Sequence, residues 1–420
     1  MEPERLQAEG KKIFMWGRYE FTLLFWFFIL WGAVFLDRLV INFLAPLVMK
    51  DLNITDPQYG MIATFTTGFY AVSAMVVTPL IEKTGKRKKY LIMLVFGAGI
   101  GAIVGSFTHD VWPLLATRAF VGFCEGPIAP IIFATLLRET PTKRTAVNSG
   151  VINMGVSAIA VTLGPILVTS IAAATSWREG FIVAGAISIV VGLILIRVVH
   201  EVEIPVEEAT ARKESTWKML KKIVSVRNVM LAFFLCIVAL MCYWTIMLYS
   251  TLFFTSVGNN IVQAGAIVTL MGVLAIVWTV FIPKTSDWLG RRGALIMWFG
   301  ILAVGSFIMF GLPTTILAVI AYIIIGYIPG SCIPYFQAII PGENLPNYLL
   351  ATASGLIIGF GEIIGGAIWP AIAGFVAQAN GYPFVIMIGG IFGAIACGLS
   401  FLLTKGKVVQ LEGEKIGDKA

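Results

Sequence analysis

The chain has 420 residues, of which 58% are hydrophobic and only 13% are charged. Soluble domains of ordinary composition carry about 25% charged residues, so this chain has too little charge for a soluble globule of its size. Its hydrophobicity excludes a disordered chain, and 5 cysteines in 420 residues exclude a disulfide-rich secreted scaffold. A polytopic membrane protein remains.

Twelve apolar stretches are long enough to cross a bilayer, which takes about 20 residues per helix. They are too long for the ~10-residue strands of a membrane barrel, so the sequence predicts an all-α protein with twelve transmembrane helices. These stretches, called spans 1 to 12, lie at 20–48, 58–82, 89–108, 111–137, 145–173, 177–199, 227–256, 260–283, 293–311, 314–338, 346–378 and 382–404. Span 1 is too long for a signal peptide and no small-residue cleavage site follows it, so we expect it to be retained.

Lysine and arginine residues are distributed unevenly among the loops. The termini and the even-numbered loops hold 26 of the 30, whereas the odd-numbered loops hold only Lys50 and Arg178. Because cytoplasmic loops carry an excess of these residues, we predict that both termini are cytoplasmic, in the inner membrane of a bacterium. The same bias explains the net charge of +7 without a nucleic acid partner.

The chain also divides into two similar halves. The longest polar stretch predicts a cytoplasmic linker at 200–226, between one six-helix bundle at 1–199 and a second bundle with a cytoplasmic tail at 227–420. The loop after span 2 recurs after span 8 at a constant offset of 205 positions. In that repeat Glu82, Gly85, Lys86 and Arg87 correspond to Asp287, Gly290, Arg291 and Arg292. An internal repeat is typical of two-bundle transporters.

Twelve spans in two sets of six, with this acid-x-x-Gly-basic-basic loop in both sets, resemble the major facilitator superfamily. The resemblance implies that charge contacts of the loop stabilise the outward-open state. It assigns this gating role to Glu82, Gly85, Lys86, Arg87, Asp287, Gly290 and Arg291. The alternative is an ordinary basic loop that only sets the orientation.

Five ionisable residues lie deep inside spans: Asp37, Arg38, Arg118, Glu125 and Glu362. Each costs roughly 2.5–3.5 kcal/mol at a helix centre, so we expect them to face a wet cavity or one another. At about 1.5 Å per residue, Asp37 and Arg38 reach the depth between Arg118 and Glu125. Arg118 and Glu125, seven residues apart, share one face of span 4.

These residue types suggest a division of labour. An arginine fork binds a carboxylate through two hydrogen bonds and stays charged, so we assign the substrate carboxylate to Arg38. A buried carboxyl group next to an arginine takes up a proton when an anion competes for that arginine, so Asp37 and Glu125 are candidate proton carriers. Arg118 is either a partner of one of these acids or a second substrate contact. The alternative is a salt-bridge cluster that only holds spans 1 and 4 together.

Glu362 lies in a glycine-rich part of span 11 and has two interpretations. It is either a protonated acid hydrogen-bonded within a closely packed helix, or a third titrating group that contacts a substrate hydroxyl or cation.

Two stretches sharpen the family resemblance. Phe35-Leu36-Asp37-Arg38 resembles the Asp-Arg pair of the anion:cation symporter family. The segment from Arg118 to Pro130 resembles that family's R-x-x-x-G-x-x-E-G-x-x-x-P stretch, and Tyr70 stands where the family often has a substrate-binding tyrosine. Span 7 lacks the arginine of the vesicular glutamate carriers, so the match is better to the bacterial sugar-acid and organic-acid branch.

The second half offers aromatic rather than charged candidates. Ligand pockets are commonly lined by aromatic groups with a few polar ones, so we select Tyr243, Tyr335 and Trp369 as substrate contacts. In span 5, Asn153 is a polar candidate for the cavity wall, together with Asn148 and Ser157. Each of these residues has a packing role as its alternative.

The sequence contains no Walker loop, no nucleophile elbow and no metal-binding spacing of histidine or cysteine. We therefore predict no enzyme activity, no cofactor and no metal. The sequence predicts a monomeric secondary transporter, surrounded by lipid, that imports a small organic anion with protons by alternating access. The alternatives are a proton-coupled exporter of drugs or organic cations, and a non-transporting membrane sensor.

Overall fold

The computed structural model describes residues 18–140, 144–200 and 216–404. Its regular secondary structure is entirely helical in these ranges, and no strand occurs in them. Spans 1, 2, 3 and 6 are single helices at Arg18–Asp51, Asp56–Thr84, Arg87–Ser106 and Trp177–Val198. Span 4 consists of Val111–Glu125 and Ile128–Glu139, and span 5 of Thr145–Gly155, a π-helix at Val156–Leu163 and Gly164–Ala174.

The second half repeats this layout. Spans 7 and 12 are Arg227–Ser256 and Tyr382–Ser400. Spans 8 and 9 form one helical segment, Ile261–Gly311. Span 10 consists of Ile316–Ile325, Ile328–Pro334, a π-helix at Tyr335–Ile339 and Ile340–Asn344. Span 11 consists of Asn347–Gly361, a π-helix at Glu362–Ile368 and Trp369–Asn380.

Eleven of the described helical segments are long and apolar enough to cross a membrane, and one of them, Ile261–Gly311, is of double length. Its only non-helical residue is Gly290, with φ 71° and ψ 162°, which reverses the chain between spans 8 and 9. Twelve crossings are therefore confirmed. The predicted ends of spans 8 and 9 left a loop at 284–292. That prediction is wrong, because span 8 stays helical through its polar end up to Gly290.

Two local features were not predicted. The linker contains a short helix at Thr216–Ser225, while its residues 201–215 lie outside the described ranges, as does the tail after 404. The π-helices of spans 5 and 11 begin at Val156 and Glu362, 206 positions apart, which is close to the repeat offset. Wide turns of this kind occur frequently at functional sites.

Within each half, small residues allow the helices to approach closely. Span 3 packs on span 6, and span 2 on span 4. A Cβ on Gly99 would lie 2.7 Å from the carbonyl oxygen of Gly185. In the second half span 9 packs on spans 10 and 12, and span 7 on spans 11 and 12. Such packing of small residues is characteristic of helix association in membranes.

The two halves meet along spans 1 and 7, 2 and 11, and 5 and 8. Their contacts include the face that carries loops 1–2, 7–8 and 11–12, which we call the odd-loop face. There the hydroxyl of Tyr382 donates to Asp56 at 2.7 Å, and that of Tyr59 to the carbonyl oxygen of Leu248 at 2.9 Å. The structure is therefore closed on the odd-loop face.

A glycine on span 8 allows this closure. A Cβ added to Gly272 would overlap the carbonyl group of Val161 on span 5. We expect Gly272→Ala to separate the halves on the odd-loop face. The distance between spin labels at Lys50→Cys and Ala379→Cys, both exposed, should lengthen. Gly300→Ala is the control, because a Cβ there meets no atom within 4 Å. Equal label distances in the two variants would contradict the prediction.

Candidate functional site

Arg38 lies at the boundary between the two halves, and its side chain is only 3% exposed. Its guanidinium carbon lies 4.3 Å from the ring centre of Tyr70 and 4.9 Å from that of Trp244. Nη2 donates to Oγ1 of Thr67 at 3.1 Å. Spans 1, 2 and 7 therefore hold the fork between two aromatic rings, whose faces attract a cation.

Glu362, on span 11, approaches Arg38 from the other half. Its Oε2 atom lies 3.7 Å from Nη2 of Arg38 and accepts a 3.1 Å hydrogen bond from Nε1 of Trp244. The Glu362 side chain is 18% exposed, so it lies at the edge of the buried cluster. Its partners are on spans 1 and 7, whereas one sequence interpretation placed them within its own helix.

Asp37 and Arg118 are fully buried inside the first half. Nη1 of Arg118 donates to the backbone oxygen of Asp37 at 3.3 Å, and its guanidinium carbon lies 4.9 Å from the ring centre of Phe181. The Asp37 carboxylate accepts a 2.7 Å hydrogen bond from Ser188. Arg118 thus contacts the span 1 backbone and is closed off from the boundary, which argues against a second substrate contact.

Glu125 is also fully buried, and neither carboxyl oxygen has a hydrogen-bond partner among the described residues. It interacts electrostatically with Arg38, Asp37 and Arg118. Gly122, one turn away, packs directly on the backbone of Thr66 in span 2. A buried carboxylate without a partner is costly, so this acid is a candidate for a neutral form.

Two of the aromatic candidates have partners outside this cluster. The hydroxyl of Tyr335 donates to the carbonyl oxygen of Ile282 at 2.6 Å, close to the repeat loop. The indole of Trp369 donates to Oγ1 of Thr245 at 2.8 Å. Buried hydroxyl and indole groups require such partners, so both groups are satisfied within the protein in this state, and their role as substrate contacts stays a prediction.

Of the remaining candidates, Tyr243 neighbours the cluster through Trp244, and the others lie on span 5. The ring of Tyr243 packs edge-on against Tyr327, 5.9 Å between centres. Asn153 is exposed and accepts a 3.2 Å hydrogen bond from Trp31. The other two polar candidates of span 5 have different partners: Asn148 donates to Glu20 at 2.8 Å, and Ser157 lies 3.2 Å from Thr279.

Sequence reasoning missed several members of the site. It selected Tyr243 where its neighbour Trp244 faces Arg38, because adjacent helical residues point about 100° apart and the sequence does not say which faces inward. Thr67 and Ser188 were missed as well. For Ser188 the available signal was a lone hydroxyl residue in an apolar stretch, whereas Thr67 stands next to Thr66 and offered no such signal.

The two repeat loops share a positive φ at their glycine. Gly85 has φ 69° and Gly290 has φ 71°, at equivalent positions of the repeat. Lys86 follows as the cap of span 3, and Arg87 donates to the carbonyl oxygen of Ala134 at 3.4 Å. The side chain of Glu82 lies outside the described part of the structure.

The second loop carries a charge cluster. Arg291 forms ion pairs of 3.1 Å with Asp287 and 2.9 Å with Glu343 of span 10, and also donates to Ser286. The cluster therefore ties the end of span 8 to the end of span 10.

Gly290 is required by its conformation alone, since a Cβ there would meet no atom within 4 Å. A backbone with φ 71° and ψ 162° is essentially restricted to glycine, and a residue held in such a sparsely populated region costs of order 1–3 kcal/mol. We expect Gly290→Ala to lower the unfolding temperature of the purified protein. Gly300→Ala, equally free of steric contacts but helical, should leave it unchanged or raise it, because alanine favours helix. Equal effects of the two substitutions would contradict this prediction.

Within residues 18–140, 144–200 and 216–404, no group of three histidine, cysteine, aspartate or glutamate side chains lies together as a metal site would require. The buried charges consist instead of the Arg38–Glu362 pair at the boundary, with Asp37, Arg118 and Glu125 buried inside the first half. Two helical bundles with ionisable groups buried between them define a membrane transport protein.

The particular family follows from comparison with known proteins. The family model described as Major Facilitator Superfamily matches residues 26–370, and the chain belongs to this superfamily. Its members are transporters rather than enzymes.

Several curated relatives carry specific names. A hexuronate transporter of Bacillus subtilis is 29% identical over 194 residues, which is 45% of either chain. A probable sulfoacetate transporter of Cupriavidus necator is 27% identical over 161 residues, 38% of this chain and 37% of that protein. The chain thus matches less than half the length of these two relatives. The multidrug resistance protein MdtG of Proteus mirabilis is 24% identical, over 85% of this chain and 90% of that protein.

Solved structures support the fold. A bacterial homologue of the lysosomal transporter Spinster, described as inward-facing and unoccupied, has a TM-score of 0.76 at 16% identity and covers 92% of this chain and 97% of its own. A D-xylose-proton symporter has a TM-score of 0.74 at 16% identity and covers 93% and 100%. The predicted all-α fold of two six-helix bundles is confirmed.

Proposed function

We propose that this protein imports a small organic anion, a carboxylate such as a sugar acid, together with protons by alternating access. The observation that carries this proposal is Arg38, a buried guanidinium at the boundary of the two bundles. Only a fork of this kind offers bidentate, permanently charged recognition of a carboxylate. The site residues are Arg38 and Tyr70 with Trp244, and Tyr243 and Asn153 lie around them.

The printed names of the relatives support an anionic substrate. Hexuronate, galacturonate and sulfoacetate are all anions, and the transporters named for them match this chain over part of its length. We infer a substrate of the same anionic class for this chain.

Proton coupling is assigned to Asp37, Glu125 and Glu362. Glu125 is the principal coupling acid, because it is buried, lacks a hydrogen-bond partner and interacts with Arg38. A substrate anion on Arg38 removes the charge that stabilises the carboxylate, so proton uptake and substrate binding favour one another.

The basic loops suggest that the odd-loop face is extracytoplasmic, with both termini in the cytoplasm. The closed odd-loop face then corresponds to an inward-facing state. We assign the gating role to the repeat loops, with Gly85, Lys86, Arg87, Gly290 and the Asp287–Arg291 pair, and with Glu82 by its position in the repeat. The two bundles rock about the site, which lies at their boundary.

Transport by purified protein in vesicles tests the proposal. Uptake of galacturonate or glucuronate, driven by an acid outer solution and abolished by a protonophore, is the expected result. The full-length similarity to a multidrug resistance protein favours proton-coupled export as the second candidate. If the protein showed no carboxylate uptake but used the proton gradient to move a lipophilic cation away from its cytoplasmic side, export would replace our proposal.

A further inference from the structure

We propose that Glu362 is an internal substitute for the substrate carboxylate, which binds Arg38 whenever the carrier is empty and faces inward. This inference rests on the proposed function, because it assumes that Arg38 binds the carboxylate of the substrate. Substrate is then released when the Glu362 carboxylate displaces the substrate carboxylate from Arg38.

The surroundings of Arg38 leave few directions for a ligand. Tyr70 and Trp244 lie against the guanidinium, and Thr67 accepts a hydrogen bond from Nη2. The carboxylate of Glu362 approaches the same nitrogen, at 3.7 Å. A substrate carboxylate that engages this fork therefore competes with Glu362 for the same donors.

Glu362 is held in place for this role. Its Oε2 accepts the indole hydrogen bond from Trp244, and a Cβ on Gly366 would lie 2.6 Å from both of these atoms. The absence of a side chain at Gly366 thus provides the space for carboxylate and indole together. At 3.7 Å from Arg38 the pair is longer than a direct hydrogen bond, as expected for a ligand that must be displaced in each cycle.

The pair also joins the two bundles. Arg38 belongs to span 1 and Glu362 to span 11, and both spans contribute to the contacts between the halves. The ion pair replaces the cross-bundle link that a bound substrate supplies. An empty carrier without it has a smaller preference for the state closed on the odd-loop face.

The substrate class follows from the same geometry. The buried cluster offers one boundary-facing cation, since Arg118 is fully buried inside the first half. A second carboxylate of a ligand would approach Glu362 and be repelled by it. The site is therefore built for monocarboxylates, and dicarboxylates of similar size are excluded.

Chemical rescue tests the inference without knowledge of the natural substrate. Glu362→Ala removes the internal carboxylate, and spin labels at Lys50→Cys and Ala379→Cys measure the odd-loop distance. In this variant the ratio of molecules with the short label distance to molecules with the long distance should fall about fivefold. Acetate should restore it, because it fits the vacated position next to Arg38. The double variant Arg38→Ala/Glu362→Ala should not respond to acetate.

A second variant separates charge from folding. Glu362→Gln keeps the side-chain volume and the acceptor for Trp244, so it should fold normally, lengthen the odd-loop distance and resist acetate rescue. An unchanged distance in both Glu362→Ala and Glu362→Gln would overturn the inference, as would acetate acting equally on the double variant. Acetate could restore the short distance although no tested carboxylate is taken up. That result would contradict the proposed function, but it would still establish that a carboxylate and Glu362 compete for Arg38.

Discussion

Replacing Arg38 with lysine is expected to lower carboxylate uptake, as kcat/KM, about 100-fold. Truncating one partner of a buried charge pair typically costs 2–5 kcal/mol, and each 1.4 kcal/mol is tenfold. Lysine keeps the charge, but it loses the planar fork that lies between Tyr70 and Trp244 and donates to Thr67. The loss should therefore appear although the net charge of the site is the same.

Uptake of labelled galacturonate into vesicles measures this effect. Arg178→Lys is the matched control, because Arg178 also forms an ion pair with a carboxylate, that of Asp51, but lies on the odd-loop face. It should change uptake by less than about twofold, as surface pairs contribute little. If Arg38→Lys retained uptake within about threefold of the original protein, Arg38 would not be the carboxylate receptor.

Glu125→Gln should abolish proton-driven accumulation while leaving the exchange of substrate across the membrane largely intact. Glutamine imitates the protonated acid, so the variant binds substrate but has no proton to release or take up at this position. Both carboxyl oxygens are buried without a hydrogen-bond partner among the described residues. The neutral amide therefore breaks no existing hydrogen bond, and folding should be preserved.

Two assays on one preparation separate these effects: accumulation against a gradient with acid outside, and counterflow with substrate on both sides. Glu139→Gln is the control, since Glu139 ends the second helix of the same span and lies outside the charge cluster. It should leave both activities unchanged. Net accumulation by Glu125→Gln would exclude Glu125 as the coupling acid, and loss of counterflow as well would indicate a binding role.

Much of the fold was predictable because the bilayer constrains it strongly. Length and hydropathy predict each crossing, and the recurrence of the repeat loop predicts the two-bundle arrangement. The glycine at position 85 and its counterpart at 290 share a left-handed conformation, which a repeated glycine already suggests. The π-helices could not be predicted, because an extra residue in a turn leaves hydrophobicity unchanged.

The candidate site was predictable in its charges and less so in its partners. Buried ionisable residues are so costly that each of the five stands out from its apolar span. Which of them meet depends on how the helices rotate and pack. The approach of Glu362 to Arg38, from positions more than 300 residues apart, has no signature in either local sequence. The sequence therefore identified the buried charged residues, and the structure showed which of them are in contact.

The single-residue turn at Gly290 has a mechanical consequence. One residue spans only about 3.8 Å between neighbouring Cα atoms, so spans 8 and 9 cannot slide along one another by more than a fraction of a helical turn. Span 8 contacts both the first bundle and span 10, and span 9 packs on spans 10 and 12. We therefore expect a displacement of span 8 at the boundary to be transmitted directly to span 9 and the outer helices.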